Sequence, residues 1–318
     1  MHIASYTEAL VKNIAFLDGY VTLDEDLKPY QFDAVVDLMA KNRTARRYFY
    51  PYIKTRVGNS ARWFSFLYTK TKFIRRSHGL INEAEYNWQL ISALDPSLKN
   101  LALNERLSLE DFSSVTPWSK AQDSSIVMPG VTASAVGWEF EKWIELAKLL
   151  AAKNHTYILL GPAEKASVQK FRNAIESVEN LEIVTTDSFE ELIGLLQSAR
   201  NFIGPSTGIT HLAAAVGCAG IALYPEQRSM HPSRWQPYRS NFKVVSLDRK
   251  PTPQQLVEIL DGNDKTYDLL NPLARSRVSA FVVCCNEERN IRRCLDSIAW
   301  CDELVIVDSG STDSTREI

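Results

Sequence analysis

The chain has 318 residues, with 36 Lys plus Arg set against 38 Asp plus Glu, a formal net charge of −2, and 45% hydrophobic and 23% charged residues. At roughly 100–200 residues per domain this is two domains or slightly more. The composition excludes a disordered or fibrous chain, and the charge balance excludes a chain that binds polyanions as a whole. No run approaches the ~18 apolar residues of a membrane-spanning helix. The opening MHIASYTEALVKNIAF lacks the basic leader and apolar block of a secretory signal. The five cysteines are Cys218, Cys284, Cys285, Cys294 and Cys301. They form no CxxC pair, so they fit apolar filling in a reduced, cytoplasmic chain better than a disulfide framework or a zinc site.

Residues 1–117 read as α/β with more helix, beginning abruptly with a short strand at 2–5 and including the strand FDAVVDL at 32–38. From Met39 to Asn82 there is no Asp or Glu but eleven Lys and Arg: Lys41, Arg43, Arg46, Arg47, Lys54, Arg56, Arg62, Lys70, Lys72, Arg75 and Arg76. Aromatic residues interleave with them, among them Tyr48, Phe49, Trp63, Phe66 and Phe73. Such a stretch suits anionic lipid headgroups or a phosphorylated acceptor. It equally fits a solvated helix face with its aromatics in the core. Nucleic acid is disfavoured, because the remainder is acidic and no reading motif is present.

Residues 118–262 form the clearest unit. Strands are expected at 124–130, 155–161, 181–186, 200–205 and 220–225. They alternate with amphipathic helices at 139–153, 163–178, 188–199 and 209–217 and a closing helix at 253–260. Short continuous apolar strands alternating with helices imply a parallel sheet covered on both faces. The polar segment 263–276 reads as a linker. Residues 277–318 restart the α/β pattern with a strand at 278–284, a helix at 288–297 and a strand at 303–307. Two strands and one helix cannot bury a core of their own, so this segment is expected to be the start of a larger domain.

Three strand-to-helix loops stand out. In Gly204-Pro205-Ser206-Thr207-Gly208-Ile209-Thr210-His211 a strand ends at small residues and an alanine-rich helix begins at once. The unpaired N–H groups and partial positive charge of a helix start suit a diphosphate, with Gly208 allowing close approach and His211 one turn in. The same residues also fit a capped helix whose small side chains merely permit tight packing. The loops Pro129–Ser134, with the hydroxyls of Thr132 and Ser134, and Gly161–Glu164 follow other strands of the same sheet, at the edge where open α/β sheets place ligands. His231 and Trp235 either line a ligand loop or fold it. Asp308 and Asp313 in VDSGSTDST fit nucleotide or metal binding as well as plain turns.

The stretches GPSTGITHLAAAVG, VMPGVTASAVGWEFEKWIELAKLL and ILLGPAEK together resemble glycosyltransferase family 9, the heptosyltransferase family of lipopolysaccharide core assembly. FDAVVDLMAKNRTARRYF, IKTRVG and HGLINEAEYNWQLISAL are similar to that family's N-terminal half. The resemblance covers roughly residues 1–260 and implies an α/β GT-B fold, a pair of Rossmann-like domains. The donor would lie on 118–262 and the acceptor on 1–117, the latter incomplete. It implies inverting, metal-independent sugar transfer from a nucleotide diphosphate donor to a phosphorylated glycolipid, with no cofactor. It assigns Ser206, Thr207, Gly208 and His211 to the donor diphosphate and sugar, Thr132 to the phosphates and Gly161 to the nucleotide. Peripheral contact with the inner membrane surface through 41–76 fits this reading.

The chain departs from the family pattern at three places. The opening Gly-Asp turn, whose Asp is the family's acceptor base, is absent, so no catalytic residue is assigned. Val136 and Gly137 stand where a Lys precedes the Trp, and Ser206 stands where an acid is common. A non-catalytic glycolipid- or partner-binding module and a GT-B nucleotide-sugar epimerase remain alternative readings. The tail FVVCCNEERNIRRCLDSIAWCDELVIVDSGSTDSTREI resembles the opening of a family 2 glycosyltransferase of GT-A fold. That resemblance implies Glu287 and Asp308 at a nucleotide base and ribose, with the metal-binding and catalytic parts lying beyond the segment.

Overall fold

The computed structural model describes residues 1–100, 115–130, 137–263, 279–298 and 301–318, apart from residues 13, 16 and 302. The chain divides into two compact units, 1–271 and 272–318.

The larger unit is built on a six-stranded, wholly parallel sheet. Its strands are β6 (Ser125–Val127), β7 (Thr156–Leu159), β8 (Leu181–Val184), β9 (Asn201–Pro205), β10 (Ala219–Tyr224) and β11 (Phe242–Ser246), in the spatial order β11-β10-β9-β6-β7-β8. Both faces are covered, because side chains alternate across a strand. Val127, Ile158, Ile203, Ile221 and Val245 point to one face, against α4 (Phe140–Ala151), α5 (Val168–Ile175) and α9 (Pro253–Leu260). Ile126, Tyr157, Leu159 and Phe202 point to the other, against α6 (Phe189–Ser198) and α7 (Gly208–Ala215). Gly194 lets α6 approach the segment before β6, since a Cβ there would stand 2.4 Å from the Thr116 carbonyl oxygen.

The five strands expected in this region are present, and β11 is a sixth. Its sequence FKVVS offers one short apolar pair after a lysine, too little periodicity to stand out. It forms because β10 offers it a parallel partner, pairing Gly220 with Phe242 through Tyr224 with Ser246. The helix expected at 163–178 begins with a 3-10 segment, Pro162–Ser167, and becomes α-helical only at Val168.

The N-terminal lobe pairs β1 (His2–Ile3) with β2 (Val21–Thr22) and carries a second parallel sheet, β3 (Ala34–Val36), β4 (Thr55–Asn59) and β5 (Lys70–Lys72). Its helices are α1 (Glu8–Val11), α2 (Asn42–Arg47) and α3 (Glu83–Leu94). The basic stretch is therefore not one helix face: only α2 is α-helical, and β4 and β5 lie inside it. Both strands are polar in sequence, so pairing of β4 with β3 and of β5 with β4, rather than local pattern, forms them. A buried network orders this lobe. Asp37, just past β3, accepts at Oδ2 from the hydroxyls of Thr44 and Tyr68, both at 2.7 Å, and at Oδ1 from the amides of Met39 and Ala40. Gly58 makes room for the Tyr68 ring, since a Cβ there would lie 2.3 Å from it.

The lobes of this unit meet where residues 79–83 face α8 (Pro232–Trp235) and its flanks. Glu83 bonds Arg76 on its own side and Arg234 Nε, at 2.7 Å, on the other. Asn82 Nδ2 donates to the Gln236 carbonyl at 2.8 Å, and the Ser233 hydroxyl donates to the Gly79 carbonyl.

The smaller unit pairs β12 (Ser279–Cys284) with β13 (Glu303–Asp308) in parallel, with α10 (Ile291–Ile298) between them in sequence. Phe281, Val283 and residues Leu304–Val307 are exposed. Among the described residues no helix is long and apolar enough to cross a membrane.

Candidate donor site

Strand order reverses between β6 and β9: β7 and β8 continue to one side, β10 and β11 to the other. The crevice at such a reversal, outside the carboxyl ends of the strands, is where open α/β sheets bind ligands. The loops after β6 and β9 flank it.

After β9 the chain turns through Ser206 and Thr207 into α7. Thr207 is extended at the N-cap position, yet its side chain caps no backbone N–H. Its hydroxyl lies instead 3.3 Å from that of Thr210, whose own hydroxyl donates to the Pro205 carbonyl at 2.5 Å. The extended N-caps Ser188 of α6 and Thr252 of α9 do accept, from the first-turn amides of Glu191 and Gln255. The first turn of α7 thus keeps donors that side chains satisfy at α6 and α9, though not at α4. Gly208 is exposed, and a Cβ built on it would meet nothing within 4 Å. The bend opens on space rather than on protein.

Ser206 is half-buried near the Tyr224 phenol, which donates to the Trp235 carbonyl at 2.6 Å. Ser206 and Thr207 are both half-buried, and Gly208 is the exposed residue of the bend. Trp235 serves here to fold the loop after β10, and His231 caps α8 by accepting from the Ser233 amide. His211 follows Thr207 by one turn, its amide reaching the Thr207 carbonyl at 3.3 Å, so residues 207 and 211 share a face. Its ring is solvent-accessible, but the protein around it is dense enough that desolvation lowers its pKa below the ordinary histidine value. At neutral pH it is an uncharged imidazole with one donor and one acceptor.

Gly161, at the end of β7, donates its amide to Glu164 Oε2 at 2.9 Å. The same carboxylate approaches Gly130, where a Cβ would meet Glu164 Oε1 at 3.1 Å. Glu164 therefore sits against the loops of two adjacent strands. In the sequence Glu164 stands out only as a lone carboxylate three residues after Gly161. Thr132 lies outside the described residues, as do Ser134 and Val136.

In the smaller unit, Asp308 ends β13 opposite Cys284. It accepts from the Ser311 hydroxyl and amide, the Gly310 amide and Arg316 Nε. The Ser311 hydroxyl bond, then the backbone amide and Arg316, hold its pKa well below the usual carboxylate range. Glu287 lies across the same turn, its amide donating to the Thr315 hydroxyl at 2.7 Å and its carboxylate accepting from Asn290. Among the described residues no cluster of His, Cys, Asp and Glu could hold a metal.

Known structures share this architecture. Escherichia coli heptosyltransferase WaaC, solved with ADP, superposes with a TM-score of 0.58 at 20% identity over 73% of each chain. E. coli ADP-heptose lipopolysaccharide heptosyltransferase II gives 0.62 at 12% identity, covering 82% of this chain and 87% of that one. A glycosyltransferase of Haemophilus influenzae is 26% identical over 280 residues, covering 77% of this chain and 78% of its own. The fold is that of a GT-B glycosyltransferase. The family profile described as glycosyltransferase family 9 (heptosyltransferase) matches residues 21–260, and the chain belongs to that family. A glycosyl transferase family 2 profile matches residues 279–318. Over 41 residues the chain is 55% identical to the lipopolysaccharide core biosynthesis glycosyltransferase LpsC of Rhizobium meliloti, a match spanning 15% of that protein's length.

Proposed function

We propose that this glycosyltransferase moves a heptose-like sugar from a nucleotide diphosphate donor to a phosphorylated glycolipid of the lipopolysaccharide core, at the cytoplasmic face of the inner membrane. The observation that carries the reading is the open, uncapped start of α7 at the β6–β9 reversal. A diphosphate leaving group gathers negative charge as the sugar departs, and aligned N–H groups meet that charge without reorganising. Thr207 and Gly208 would hold the diphosphate, His211 would donate to it or to the sugar, and Thr132 would approach it from the neighbouring loop. Ser206 would support the bend through Tyr224. The Glu164 carboxylate beside Gly161 is an acceptor for ribose hydroxyls. Attack by an acceptor hydroxyl from the face opposite the leaving group inverts the anomeric centre, with the diphosphate charge met by the protein rather than by a metal. The basic segment 41–76 of the N-terminal lobe supports a phosphorylated acceptor. In the smaller unit Glu287 and Asp308 would lie beside a nucleotide base and ribose.

Support for the donor site comes from the ADP and ADP-2-deoxy-2-fluoro heptose bound to WaaC, whose fold this chain shares. Calorimetry with ADP and other nucleoside diphosphates tests the reading. Gly208→Asp sets a carboxylate against the diphosphate and is expected to abolish binding. Gly208→Ala meets open space and is expected to keep the fold and most of the affinity. Undiminished binding by Gly208→Asp would overturn the assignment.

A further inference from the structure

In the N-terminal lobe, large apolar side chains stand in water. Trp63 is 73% and Phe66 72% exposed. Both lie in the segment that follows the carboxyl end of β4. Trp63 stands edge-on to the buried Phe64, with ring centroids 5.7 Å apart, and lies 6.5 Å from Phe66. Phe64 in turn packs with Tyr68 against Ala45 of α2. The pair is thus mounted on a fixed base rather than carried on a loose loop.

The surroundings are cationic. Arg62 is exposed beside Trp63, and α2, which the same cluster holds in place, exposes Arg43 and Arg46. Among the described residues, Arg76 alone of the eleven basic side chains between 39 and 82 is ion-paired. Exposed aromatics rimmed by unpaired cations fit the headgroup layer of an anionic bilayer, where an indole ring buries its apolar body and keeps its N–H wet. A second copy of this chain is a poor occupant, since it would bring two strongly cationic faces together without counter-charge.

We propose that Trp63 and Phe66 form an interfacial anchor that seats the N-terminal lobe on an anionic lipid bilayer. The proposal deepens the glycolipid-acceptor reading, because an acceptor embedded in a bilayer is presented at that surface.

Sedimentation of the full chain with vesicles tests it, using phosphatidylcholine alone and phosphatidylcholine with about a third phosphatidylglycerol. Binding is expected to the anionic vesicles, to fall as salt is raised, and to weaken about tenfold or more in the double variant Trp63→Ala, Phe66→Ala. Both side chains are exposed, so the variant is expected to keep its unfolding midpoint and its affinity for nucleoside diphosphates. Four results would overturn the anchor: no wild-type binding, equal binding by the double variant, equal binding to neutral vesicles, or tighter binding to a single-stranded oligonucleotide than to lipid. A wild-type dimer that the double variant loses would give the face to a second copy and overturn it as well. Because vesicle binding and diphosphate binding are separate readouts, failure of the anchor leaves the donor assignment standing, and the reverse.

Discussion

Glu83 and Arg234, 151 residues apart in sequence, meet at 2.7 Å across the two lobes of the larger unit. The carboxylate also bonds Arg76, whose pKa burial lowers, so one anion sits between two half-buried guanidinium groups. Removing the carboxylate in Glu83→Ala leaves both cations facing each other without a counter-charge. A loss of about 2 kcal/mol in urea unfolding is expected. Arg234→Met, which leaves the Glu83–Arg76 pair intact, is expected to cost less. Equal costs would show that the inter-lobe bond carries the effect by itself.

Gly58 and Tyr68 offer a second test. A methyl at position 58 would occupy the space of the phenol ring that reaches Asp37. Gly58→Ala is expected to cost about 1–3 kcal/mol through displaced packing and a weakened bond to the buried carboxylate. In Tyr68→Phe, Asp37 keeps three of its four hydrogen bonds, so a loss of about 1–2 kcal/mol is expected. Coupling between the two changes would appear as non-additivity in the double variant.

Alkaline pH is expected to destabilise the fold. Burial pushes the phenols of Tyr48 and Tyr224, and the thiol of Cys218, up to about 12. The native state keeps protons that the unfolded chain gives up near ~9 for the thiol and ~10 for the phenols. Above those values the unfolded state binds fewer protons, so stability falls as pH rises until the native groups themselves ionise near 12. The urea midpoint is expected to be flat below about pH 9 and to decline from there. Tyr224→Phe should shallow the decline, whatever it does to the midpoint at neutral pH.

Under the proposed donor assignment, His211 is expected to make diphosphate binding sensitive to acid. Desolvation keeps the free ring neutral at pH 7, and a diphosphate beside it would raise its pKa. Linkage then requires the His211 contribution to affinity to grow as pH falls through the ring's pKa in the complex. Nucleoside diphosphates titrate too, so the quantity to measure is the difference between wild type and His211→Gln in calorimetry from pH 5.5 to 8. Parallel profiles would remove His211 from the site.

Much of this architecture is legible in the sequence, and the exceptions have a common cause. Thr156–Leu159 and Ala219–Tyr224 announce themselves because strands buried on both faces must be apolar throughout. Thr55–Asn59 and Lys70–Lys72 are hidden because their strand character comes from a neighbour's hydrogen bonds, not from their own pattern. At the donor site, the small residues before α7 mark the bend correctly. That the Thr207 hydroxyl turns to Thr210 rather than capping the helix is not readable from the small residues alone. The Glu83–Arg234 bond is likewise non-local, and nothing in either segment's composition signals it.

Asn82 spends both ends of its amide at once: its oxygen starts α3 by accepting from the Ala84 amide, while its nitrogen holds the Gln236 carbonyl. A single side chain therefore ties the beginning of a helix to the spacing of the lobes. Sequence drift at this position cannot loosen the inter-lobe contact without also fraying the helix, so a relative with differently set lobes should carry compensating changes at both places.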